Sequence, residues 1–125
     1  MIRYLIDANS AVYAMDLGNE QLKARIAGCD AGSLAISVIS YAEVAYGTYA
    51  GTPPAPEVLE AFIEAIPLIP FDEPAAREYA RLPFKRARFD RLLAAHALSI
   101  GAAVVTNNEA DFADVPGLRV ENWTV

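Results

Sequence analysis

A chain of 125 residues that is 54% hydrophobic and 21% charged amounts to one compact domain, which excludes a multidomain enzyme. One cysteine, Cys29, excludes an internal disulfide and a thiolate zinc site, and it predicts a reducing compartment. Ten Lys plus Arg against sixteen Asp plus Glu give a formal charge of −6, which excludes a protein held on nucleic acid by diffuse positive charge.

In chain order, Met1 to Ile6 reads as a buried strand that stops at the cap-forming group Asp7-Ala8-Asn9-Ser10. Helices are predicted over Ser10 to Leu17, ended by Gly18, and over Asn19 to Ala27. Ser33 to Val38 is a second apolar strand, followed by helices over Ile39 to Tyr49 and Pro56 to Ile66 and a strand over Leu68 to Phe71. A helix starts at Asp72 or Glu73, where Pro74 is tolerated early, and another covers Arg88 to Ser99 with Gly101 as its stop. Ala102 to Thr106 is a fourth strand, and Leu118 to Trp123 is a last strand or extended tail.

Continuous apolar strands alternating with helices predict an α/β fold, a central parallel sheet with helices on both faces. No stretch approaches the roughly 18 apolar residues that span a bilayer, and no basic-then-apolar signal peptide opens the chain, so a soluble, cytoplasmic protein is expected. In such sheets ligands bind at the carboxyl ends of the strands.

Acidic residues fall at those ends. Asp7 follows the first strand, where a helix cap is the simplest use for it. Glu43 is the only charge from Ala31 through Pro56 and shares a helical face with Ile39, Ala42 and Tyr46, where a carboxylate costs several kcal/mol unless it meets a partner, a proton or a metal. Asp90 stands at a helix start, and Glu109 and Asp111 follow the fourth strand. Two carboxylates about 5 Å apart repel by about 3 kcal/mol at an effective dielectric of 20, so convergence of Asp7, Glu43, Asp90 and Asp111 demands cations or raised pKa values. An all-oxygen set suits Mg²⁺ or Mn²⁺, with Asn9, Ser37, Thr106 and Asn108 placed to support it. Such an ion serves where the substrate brings phosphate oxygens.

Tyr4-Leu5-Ile6-Asp7-Ala8-Asn9, Ile39 through Gly47 around Glu43, Phe89-Asp90-Arg91-Leu92-Leu93-Ala94-Ala95-His96-Ala97 and Val105-Thr106-Asn107-Asn108 to Phe112 together resemble the PIN-domain ribonucleases. Val115-Pro116-Gly117-Leu118 and Glu121-Asn122-Trp123 look like their VapC toxin branch. The resemblance spans the chain in order and implies a single PIN domain over 1–125. It also implies an Mg²⁺- or Mn²⁺-dependent endoribonuclease, usually dimeric and neutralised by a VapB antitoxin. Carried over by motif, the site acids are Asp7, Glu43, Asp90 and Asp111, with Asn9 and Thr106 in supporting positions. The chain departs from the pattern at Ala8, where a hydroxyl is usual and Ser10 is a displaced substitute, and in a short segment before Asp90. Glu109 or Asn108 are alternatives for the fourth position.

Six of the ten basic residues, Arg77, Arg81, Lys85, Arg86, Arg88 and Arg91, lie between positions 77 and 91. They are either a solvated helix face or a phosphate-positioning strip, carried chiefly by Lys85, Arg86, Arg88 and Arg91. His96, six residues after Asp90 and off its face, is assigned to packing or a hydrogen bond. The rival functions are a catalytically silent PIN-like binding module and an aspartyl-phosphate phosphatase or phosphoacceptor built on Asp7.

Overall fold

The computed structural model describes residues 1–83, 86 and 88–125. Five strands, β1 (Tyr4–Ile6), β2 (Leu34–Ser37), β3 (Leu68–Ile69), β4 (Ala103–Val105) and β5 (Val120–Glu121), form one sheet in the order β3-β2-β1-β4-β5, and every pairing is parallel. The expected α/β architecture is therefore present. Successive residues point to opposite faces of a strand, so Leu5 and Ile6 feed different cores. Ile6, Ile36 and Val105 pack with Leu22, Val44, Leu59 and Trp123 on one side, and Leu5, Ala35 and Val104 pack with Leu93, Ala94, Ala97 and Phe112 on the other. Burial on both sides is why the strands read as unbroken apolar runs.

Among the described residues, six α-helices surround the sheet: α1 (Ala8–Val12), α2 (Glu20–Ala27), α3 (Val38–Tyr49), α4 (Pro56–Ala65), α5 (Glu73–Arg81) and α6 (Arg88–Ile100). Their starts follow local capping chemistry: Asp7, Asn19, Ser37 and Asp72 each accept a backbone N–H of the first turn. The first helix differs from its expected span of Ser10 to Leu17. It begins at Ala8 because Asp7, not Ser10, is its cap, and it continues as a π-helical turn over Tyr13–Leu17. That turn stops at Gly18, whose φ of 71° is a left-handed conformation that disfavours other residues. β3 ends before Pro70, which has no N–H to donate to a ladder. Among the described residues, no helix is long and apolar enough to cross a membrane.

The strand order places β2 and β3 on one side of β1, and β4 and β5 on the other. Connections therefore reverse direction between β1 and β4, and a crevice opens outside their carboxyl ends. Register fixes its floor: Ile6 pairs with both Ile36 and Val105, so Asp7, Ser37 and Thr106 are the next residues on three adjacent strands.

Candidate active site

Asp7 leaves β1 in an extended conformation, and its Oδ1 accepts the Ser10 N–H at 2.8 Å. It is both a helix cap and the deepest acid of the crevice, 7% exposed. Burial raises its pKa, while the Thr106 hydroxyl and Ser10 pull the other way. Thr106 Oγ1 accepts the Asn108 N–H at 2.9 Å, which leaves the Thr106 proton for Asp7. Ser10 Oγ is buried with no normal hydrogen bond among the described residues, yet it lies close enough to favour the ionised Asp7 carboxylate. The hydroxyl missing at Ala8 is thus partly replaced from Ser10.

Glu43 projects from α3, but not from a buried stripe as its sequence neighbours suggest. The buried side of α3 carries Ser40, Val44, Ala45 and Thr48, whereas Ala42, Glu43 and Tyr46 face outward, Tyr46 at 81% exposure. Partial burial, followed by the negative charges of Asp90 and Asp7, still pushes the Glu43 pKa up to about 7. Asp90 is the third residue of α6, inside the first turn and not its cap, and its pKa rises to about 6 through burial, Asp111 and Asp7. Asp111, on a 3₁₀ turn over Glu109–Phe112, hydrogen-bonds with Asp90 and accepts from the Asn108 side chain. Glu109 instead accepts from Asn122 Nδ2 at 3.3 Å, which directs it to the C-terminal segment. Asn9 is exposed on α1 and makes no bond to the four acids.

Asp7, Glu43, Asp90 and Asp111 therefore come from four separate elements; Glu43 feels the charge of Asp90 and Asp7, and Asp90 that of Asp111 and Asp7. Among the described residues, no three acidic, histidine or cysteine side chains are grouped closely enough to hold a metal ion.

The basic run divides. Arg77 pairs with Glu73, and Arg81 with Glu78 at 3.1 Å, both along the exposed face of α5. Arg86 and Arg88 line a cleft of about 430 Å³ with Glu43, Phe89 and Asp90. Lys85 lies outside the described residues. Arg91 does not belong to a phosphate-positioning strip: it is 2% exposed, its Nη1 donates to Asp114 Oδ1 at 3.2 Å and its Nη2 to Pro83 O at 2.9 Å. The helical twist turns it from the cleft wall into the protein, where a guanidinium requires a carboxylate and a carbonyl.

His96 is also structural. Its Nδ1 lies 2.8 Å from Ser37 Oγ, its ring meets Phe71 edge-on, and burial lowers its pKa. Ser37 Oγ also accepts the Ile39 N–H at 3.0 Å, so one hydroxyl caps α3 and ties it to α6, the helices of Glu43 and Asp90. Ser37→Ala removes a cap and leaves a buried imidazole nitrogen unpaired, an expected loss of about 1–3 kcal/mol. Urea denaturation checks it; an unchanged midpoint contradicts the link. Sequence spacing did not reveal Phe89 in the cleft wall or the Arg91–Asp114 clamp. The one available signal for Phe89 was a large apolar residue directly before a site acid.

A parallel sheet whose strand order reverses beside β1, with acidic residues near that switch point, defines the class of doubly wound α/β domain that binds its ligand at the carboxyl ends of the strands. Within that class the chain belongs to the PIN domain family, whose pattern it matches over residues 4–118. It is 29% identical to the tRNA(fMet)-specific endonuclease VapC of Salmonella typhimurium, covering 98% of this chain and 99% of that protein. It is 27% identical to Ribonuclease VapC2 of Haemophilus influenzae, over 98% and 99% of the two chains. Among solved structures, it resembles a chain of DNA-bound VapBC from Salmonella typhimurium, with a TM-score of 0.84, 30% identity and coverage of 98% and 99%. VapBC2 from Rickettsia felis, bound to a promoter fragment, gives 0.85 at 28% identity, with the same coverage.

Proposed function

We propose that this PIN-domain chain is a divalent-metal-dependent endoribonuclease, the toxin half of a VapBC-type pair. In this reading it is restrained by a VapB-type antitoxin, acts as a homodimer and works in the cytoplasm. The reading is supported by two pKa values displaced to about 7 at Glu43 and about 6 at Asp90, through burial and the charges of Asp7, Asp90 and Asp111. The full-length likeness to proteins named as VapC ribonucleases supports the substrate class.

The chemistry of the donor set, rather than its spacing, suits a hard ion. The set is all carboxylate oxygen, His96 and Cys29 lie outside it, and its mutual repulsion is relieved by positive charge. Asp7, Glu43, Asp90 and Asp111 would hold Mg²⁺, with Mn²⁺ able to substitute. Such an ion, when bound, neutralises phosphate charge and makes water more acidic. The protein's part is orientation: the Ser10 N–H and Thr106 hydroxyl hold Asp7, Asn108 holds Asp111, and Arg86 and Arg88 bring positive charge to the cleft mouth.

Cleavage of single-stranded RNA by the purified chain in Mg²⁺, abolished by EDTA, is the expected result; cleavage that survives EDTA contradicts the proposal. Stability supplies an independent readout. Folded pKa values above the ordinary 4.5 and 3.8 mean that the native state holds these protons more tightly than the unfolded chain. In EDTA, their stabilising contribution is complete below about pH 4 and is lost as pH rises through about 6 and 7. Mg²⁺ at 100 times its Kd adds about 2.7 kcal/mol at pH 8, and less at pH 5 where protons compete. Thermal melts at both pH values, with Mg²⁺ or EDTA, measure this; identical curves at pH 8 contradict it.

A further inference from the structure

The cleft beside the acidic cluster has a wall that the metal-site reading leaves unused. Its lining is Glu43, Arg86, Arg88, Phe89 and Asp90, two carboxylates and two guanidiniums around one apolar ring. Arg88, Phe89 and Asp90 are consecutive in the first turn of α6, so that turn itself forms the wall. Phe89 is 52% exposed, whereas Phe112 is fully buried and Phe62 and Phe71 are partly covered. The ring has an uncovered face in a polar cleft, one residue from a site acid.

We propose that Phe89 is a base-stacking residue: its ring seats the base of an unpaired nucleotide beside the scissile phosphate, while Arg88 and Arg86 neutralise phosphates flanking that nucleotide. The inference rests on the ribonuclease reading and adds to it how the substrate strand is held. An aromatic face recognises any base that is not already stacked in a duplex, and flanking cations follow the backbone. A protein-docking patch would instead be expected to continue as an apolar core, and the cleft offers charged neighbours on its remaining wall. Single-stranded segments and loops are therefore the substrates this wall selects.

The test uses a single-stranded oligoribonucleotide that the wild-type chain cuts in Mg²⁺, and two versions with an abasic residue on either side of the cut. Phe89→Ala and Phe89→Leu are each expected to raise KM by roughly 5- to 150-fold with little change in kcat, and Phe89→Trp to restore it. Leucine preserves apolar volume without a π face, so it also covers the case in which the alanine variant folds poorly. At one flanking position, the abasic substrate should cost the wild type the same factor and cost Phe89→Leu nothing further. Losses that multiply at both positions overturn the stacking. A wild-type KM in both variants also overturns it, and assigns the ring to a protein contact. A wild-type chain that neither binds nor cuts RNA overturns the ribonuclease reading and this proposal together.

Discussion

Asp7→Asn is expected to abolish metal-dependent RNA cleavage while raising the thermal stability of the metal-free protein. The amide keeps an oxygen at the position of Oδ1, so the N–H of Ser10 retains its acceptor and α1 its cap. What disappears is a buried negative charge, disfavoured by desolvation and repelled by Glu43 and Asp90. On the proposed metal-held mechanism, losing Asp7 removes several kcal/mol of transition-state charge stabilisation, a rate loss of about 10³-fold or more. Asp7→Ala separates the two roles: it loses the same activity but also the cap, and should be about 1 kcal/mol less stable than Asp7→Asn. Cleavage rates in Mg²⁺ and melting curves in EDTA for both variants decide the matter. Wild-type cleavage by Asp7→Asn removes Asp7 from the site, and equal destabilisation of both variants removes the charge-repulsion account.

The second large effect concerns the clamp behind the site. Arg91 is 2% exposed, while its partner Asp114 retains 42% side-chain exposure. The pair is therefore asymmetric. Asp114→Ala strands a buried guanidinium, for which the expected cost lies at the lower end of about 3–5 kcal/mol. Arg91→Met leaves a carboxylate that water can reach and fills the space with apolar volume, so its cost should be smaller. From within α6, one residue after Asp90, Arg91 also ties that helix to Pro83 and to Asp114, three residues after Asp111. Both variants should therefore lower kcat more than they raise KM. Denaturant melts that rank Arg91→Met below Asp114→Ala in stability contradict the asymmetry.

How far these features could be read in advance depended on their range along the chain. The cap at Asp7, the Gly18 and Gly101 stops, and the apolar runs of β1, β2 and β4 arise from neighbours a few residues apart. They were legible for that reason. The direction of a long side chain was not: Arg91 lies beside Asp90 in sequence and at the end of a basic run, yet one residue of helical rotation carries it into the interior. Glu43 shows the converse, since its apolar neighbours suggested a buried stripe and the packing of α3 left that stripe outward. Asp7 proved to be a helix cap whose charge also reaches Glu43, a long-range effect that local sequence does not show.

By itself, the sequence determined a parallel α/β domain with acids at the carboxyl ends of its strands, because periodicity, capping and strand-end position are local properties. Tertiary structure decided that β1 lies between β2 and β4, that Glu43 and Asp90 feel the charge of the distant Asp7, and that the basic run separates into paired, buried and cleft-lining arginines. Charge interaction and desolvation depend on distance in space, and only the packed chain sets those distances.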